Sequence, residues 1–104
     1  SEHPDVALPL VGLGAALVEL GRMAEAVPLL ERALKICTRQ TVEDVDLGEI
    51  RFALSRAVAT DDRGLAHDLA TQARQDYADA GNADQVTAID KWLVTITPRH
   101  SPRK

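Results

Sequence analysis

Moving residues 10–33 forward by 40 places lays the 104-residue chain onto itself, and this internal repeat limits the possible folds more than any other feature. Leu10 falls on Ile50, Leu13 on Ala53, Leu17 on Ala57 and Val18 on Val58. In the same register Ala26 falls on Ala66, Leu29 on Leu69, Leu30 on Ala70 and Ala33 on Ala73. Apolar meets apolar at all eight positions without a gap. A fixed period of this size is the mark of stacked helical units, each too small to bury its apolar face alone.

The local signals agree with two helical hairpins and a last single helix. Asp5 can cap a first helix whose apolar positions Leu10, Leu13, Leu17 and Leu20 recur at helical spacing, with Gly14 beside them and Pro9 in the first turn. Gly21 ends it as a left-handed cap. A second helix runs from about Met23 to Thr38 with Ala26, Leu29, Leu30, Ala33, Leu34 and Cys37 on one side, and Pro28 predicts a slight bend one turn in. Thr41 and Asp44 have capping-box spacing and open a third helix through Val45, Ile50, Ala53, Leu54, Ala57 and Val58. Asp61-Asp62 closes it and caps a fourth, whose inner side is Ala66, Leu69, Ala70, Ala73 and Tyr77. Gly81 stops the fourth, Asn82 with Gln85 starts a fifth, and Val86, Ile89, Leu93 and Ile96 form its inner stripe before Pro98. No segment alternates apolar and polar residues as a strand does. The predicted fold is all-α: repeat one at about 5–38, repeat two at about 42–80, a C-terminal capping helix at about 82–97, and a disordered tail at 98–104, residues 1–97 forming one domain.

Composition narrows the function classes. Nearly half the residues are apolar but only Phe52, Tyr77 and Trp92 are aromatic, so Ala, Leu and Val must fill the core through close helix contacts. A formal net charge of −4 speaks against nucleic acid, and the basic tail Arg99, His100, Arg103, Lys104 is too short to reverse it. Cys37 is the sole cysteine, which leaves no disulfide framework and fits a reducing, cytoplasmic setting. The longest apolar run falls far short of the ~18 residues of a membrane span, and no signal pattern opens the chain. The start at Ser-Glu-His-Pro rather than methionine reads as a piece of a longer protein.

Leu13-Gly14, Leu17, Gly21, Ala26, Leu30 and Ala33 resemble the tetratricopeptide repeat pattern, in which small residues let the two helices of a hairpin approach. The period exceeds the usual ~34 residues. With His3-Pro4-Asp5 ahead of the hairpin and Gly21-Arg22 in its turn, it is similar to the longer repeats of kinesin light chains and of bacterial signalling proteins. Such repeats often form the C-terminal part of bacterial serine/threonine kinases, and LVELGRMAEAVPLLERAL resembles those. The resemblance implies a right-handed helical solenoid acting as a protein–protein interaction scaffold, without enzymatic activity of its own. The second repeat departs from the pattern: Leu54 stands where Gly14 does, Asp61 replaces Gly21, and Leu54 would hold its hairpin further open.

Other motifs have plainer readings. His3-Pro4-Asp5 matches the tripeptide of J-domain co-chaperones but lacks the basic helix before it, so a turn and helix cap is the default. His3, His67 and His100 sit on separate segments without ligands at metal spacing, and no cofactor is implied. Cys37 falls on an inner stripe, as a buried apolar residue would. Glu43, Asp44, Asp46 and Glu49 crowd a helix start, where the helix dipole favours acid. Trp92 reads as core packing that closes the stack. No Gly-rich phosphate loop, GxSxG or HExxH occurs.

One line remains as a candidate site. Leu8, Val11, Ala15 and Val18 form a second apolar line on the first helix, and the 40-residue shift adds Arg51, Ser55 and Val58. By the resemblance, that face lines a concave groove suited to a protein or peptide partner, such as an amphipathic helix. The competing readings are packing against the third helix or a preceding repeat, and a homodimer interface on the same line.

Overall fold

A computed structural model describes residues 7–39 and 47–96, with side chains from Pro9 onward. Five helices make up almost all of it: α1 (Ala7–Glu19), α2 (Met23–Arg39), α3 (Leu47–Val58), α4 (Arg63–Asp79) and α5 (Ala83–Ile96). No strand occurs among the described residues. The expectations resting on His3-Pro4-Asp5, Thr41 with Asp44, Val45, His100 and the basic tail lie outside the described residues.

The turns follow from their residues. Gly21 takes φ 79° and Gly81 φ 75°, a left-handed conformation in which an L side chain is strained. At both, the chain closes with the same pair of hydrogen bonds: Gly21 N donates to Val18 O and Arg22 N to Leu17 O, and Gly81 N donates to Ala78 O and Asn82 N to Tyr77 O. That double closure satisfies carbonyls which the ending helix would otherwise leave open. Asp61, in the equivalent place of repeat two, has no positive φ, and Asp61 N and Asp62 N both donate to Val58 O. The Gly-to-Asp change therefore yields a different turn with the same outcome. Asp62 caps α4 by accepting from Leu65 N at 3.0 Å, and Asn82 caps α5 by accepting from Gln85 N at 3.2 Å.

The helices pack as two hairpins and a lid. α1 lies on α2, α3 on α4 and α5 on α4, while α3 joins the units by touching both α1 and α2. The alanine repeat is the contact surface: Ala26, Ala33, Ala66, Ala70 and Ala73 have no exposed area. Around them Leu30, Ile50 and Ile89 are fully enclosed, each costing about 2–5 kcal/mol if cut to alanine. Gly14 shows how close α1 and α2 come, since a Cβ there would stand 2.6 Å from Leu30 Cγ. In repeat two the sizes are exchanged. Leu54 replaces Gly14 and Ala70 replaces Leu30, both buried, so each hairpin keeps one large and one small side chain at these positions.

One inner stripe differs from expectation. On α1 the buried residues are Leu10, Val11, Gly14, Leu17 and Val18, whereas Leu13 is 54% and Leu20 69% exposed. The Gly14–Leu30 contact turns α1 to this face. α2, α4 and α5 bury the predicted sides, with Ile36 added on α2.

Candidate interaction cleft

The residues expected to line a groove do not share one surface. Val11, Val18 and Val58 are buried in the main core cluster, which favours packing within the stack for that line. Leu8 has its side chain outside the described residues. Arg51 turns toward α4, where its Nη1 lies 2.6 Å from Asp76 Oδ2 with both side chains about three-quarters buried, and its Nε is buried without a partner. Ser55 is wholly buried. Its hydroxyl donates to Ala66 O at 2.6 Å and accepts from the Trp92 indole N–H at 2.8 Å, linking α3, α4 and α5 through one oxygen. A lone serine among the buried residues of α3 gives no sign in sequence of a partner 37 residues away.

Among the described residues of that set, Ala15 lines an open cleft. The cleft holds about 400 Å³ and is built from α1 (Ala15, Glu19), α3 (Glu49, Phe52, Ala53, Arg56), the end of α4 (Tyr77) and the start of α5 (Asn82, Gln85). Its position follows from the stacking: α1 and α3 lie side by side, and the Gly81-Asn82 turn brings the start of α5 to the same surface. Phe52 and Ala53 give it an apolar wall, and Tyr77, buried below, closes it. Arg56 Nη1 stands 2.9 Å from Glu19 Oε2, a pair of one half-buried and one exposed side chain that spans the two hairpins at the rim. Phe52 was overlooked in sequence because its repeat partner is Gly12, so the 40-residue shift gave it no aromatic echo.

The charged residues of the cleft have structural places. Glu49 stays at the helix start, where the dipole favours it, and Glu19 is engaged by Arg56. Among the described residues no group of three or more His, Cys, Asp or Glu could hold a metal ion, and His67 stands exposed on α4. Cys37 is buried in the main core cluster, where burial pushes its thiol up from the ordinary value. No described helix is long and apolar enough to cross a membrane.

Two stacked helical hairpins agree with the comparison to known families, in which the tetratricopeptide repeat matches residues 5–79. The chain belongs to the tetratricopeptide repeat family. The match covers both hairpins and ends at the last residue of α4, so α5 lies beyond it. Tetratricopeptide repeats generally mediate protein–protein interaction and are typically non-catalytic. Comparison with curated proteins and with solved structures finds no match for this chain.

Proposed function

We propose that this tetratricopeptide domain is a non-enzymatic interaction module that holds a protein segment, in the form of a short amphipathic helix, in the cleft between α1, α3 and α5. The observation that carries the reading is the cleft itself: an apolar wall of Ala15, Phe52 and Ala53 under a polar rim of Glu19, Glu49, Arg56, Asn82 and Gln85. An amphipathic helix fits this division, placing its apolar side on Phe52 and its polar side along the rim. Two carboxylates against one guanidinium leave the rim slightly acidic, which favours basic residues on the polar side of the segment.

The reading includes a setting. The domain is a part of a larger bacterial, cytoplasmic signalling protein such as a serine/threonine kinase, with repeats of the longer kinesin-light-chain-like type. What supports this is the wording LVELGRMAEAVPLLERAL and the 40-residue period.

Selection of peptides from a random display library on the immobilised domain tests the cleft. Peptides that bind are expected to be apolar with basic residues and to lose at least tenfold in affinity against Phe52→Ala. Selected peptides that bind Phe52→Ala and Gln85→Ala as well as the native domain would overturn the reading.

A further inference from the structure

The cleft between α1, α3 and α5 carries its charges in a fixed order. Glu49, Phe52, Ala53 and Arg56 all line it. They follow one another on α3 at intervals of three, one and three, so they form a single stripe of that helix, about 10 Å from end to end at 1.5 Å per residue. An exposed carboxylate opens the stripe, a half-buried ring and a buried methyl group fill its middle, and a half-buried guanidinium closes it.

Contacts from the neighbouring helices give the two ends different characters. At one end Arg56 Nη1 meets Glu19 Oε2 at 2.9 Å, which sets the last residue of α1 beside the last turn of α3. At the other end Arg51 Nη1 meets Asp76 Oδ2 at 2.6 Å, which sets the last turn of α4 against the start of α3. Tyr77 and, after the Gly81 turn, Asn82 and Gln85 thus gather at the Glu49 end, and none of the three brings a positive charge to it. Arg56 is the one cationic side chain among the described lining residues. Its contact with Glu19 engages one nitrogen of a fork that carries five N–H donors, and a pair this open to solvent holds its members weakly. A carboxylate arriving from outside is therefore able to share the guanidinium with Glu19.

We propose that the segment bound in the cleft is a helix lying antiparallel to α3, with an acidic residue on Arg56, two apolar residues on Ala53 and Phe52, and a basic residue on Glu49. In the segment's own sequence the order is an acid, two variable residues, two apolar residues, two variable residues and a base, which matches the stripe on α3 position for position. Its direction follows from the helix dipole. A helix favours an acid in its first turn and a base in its last, and the antiparallel orientation lays those two ends on Arg56 and Glu49. A parallel helix would need a base at its start and an acid at its end, against its own dipole. The proposal rests on the cleft as the binding site and adds to it the polarity and direction of the partner.

Two helical peptides of identical composition test the order. One carries Glu-Ala-Ala-Leu-Leu-Ala-Ala-Lys, the other has Glu and Lys exchanged, and each is held helical by a staple across the opposite face. Titrated into the native domain, the acid-first peptide is expected to bind about fivefold tighter than the base-first one, with the ratio shrinking toward one in ~0.5 M salt. Arg56→Gln and Glu49→Gln should each cut the ratio to about twofold. Equal binding of the two peptides, lost for both in Phe52→Ala, overturns the charge order and leaves the cleft reading standing. A tighter base-first peptide, no binding of either, or a ratio that neither glutamine substitution changes overturns the proposal as well. Affinities that Phe52→Ala leaves undiminished overturn the cleft reading and the proposal together.

Discussion

The Trp92 indole on α5 donates its N–H to the Ser55 hydroxyl on α3 at 2.8 Å, and that hydroxyl donates in turn to Ala66 O on α4. One buried oxygen therefore fastens α5 to the hairpin of α3 and α4. Ser55→Ala leaves the indole N–H without an acceptor in a site from which water is excluded, and should cost about 1–3 kcal/mol. Trp92→Phe removes the donor and some contact area. In a double-mutant cycle followed by urea unfolding, the two losses should fall short of additive by at least ~0.5 kcal/mol. Simple additivity would mean that the bond does not couple the helices.

Gly14 and Gly12 occupy the same helix two residues apart and should respond oppositely to alanine. Gly14→Ala forces a Cβ against Leu30 and is expected to destabilise by about 1–3 kcal/mol. Gly12→Ala meets open space and should stabilise the dilute protein by about 0.5–1 kcal/mol. Thermal melts of the two variants at low concentration check both signs. Adding Leu30→Ala to Gly14→Ala should recover part of the Gly14 loss, because it removes the atoms in the way.

The two left-handed turns make a matched pair with the one that is not left-handed. Gly21→Ala and Gly81→Ala place an L side chain at positive φ and should each cost about 1–2 kcal/mol. Asp61→Ala, at the turn without positive φ, should cost less than either. Chemical denaturation of the three variants gives the ranking directly.

How the sequence showed some faces and hid others depends on which helices carry charge. α2 and α4 set their alanines against Glu, Arg, Lys and Asp, so the buried side is unambiguous, and Ala26, Leu30, Ala33, Ala66, Ala70 and Ala73 all lie where the period placed them. α1 offers no such contrast. Leucine, valine, glycine and alanine surround it, and periodicity alone allowed a stripe through Leu13 and Leu20 where packing of Gly14 on Leu30 selects Val11 and Val18. That rotation is why the expected groove line went into the core, leaving Ala15 as the link to the cleft. Ser55 and Arg51 were hidden for another reason: their partners Trp92, Ala66 and Asp76 are brought to them by tertiary packing, which a 40-residue repeat does not encode.

Cys37 predicts a pH effect. Burial holds its thiol in the neutral form above the ordinary value of 9.0, so the folded state binds that proton more tightly than the unfolded state does. The resulting stability is complete below the unfolded value and is lost as pH rises through the folded one. The stability difference between the native domain and Cys37→Ala should therefore be constant through neutral pH and shrink at alkaline pH. A difference that grows with pH would contradict burial as the cause.

The most direct test of the interaction reading is amide chemical-shift mapping with a library-selected peptide titrated into the labelled domain. The account predicts the largest shifts at Ala15, Phe52, Arg56 and Gln85, around the cleft of α1, α3 and α5. Shifts gathered instead on the outward sides of α2 and α4, at Glu31, Lys35, Gln72 and Gln75, would contradict it.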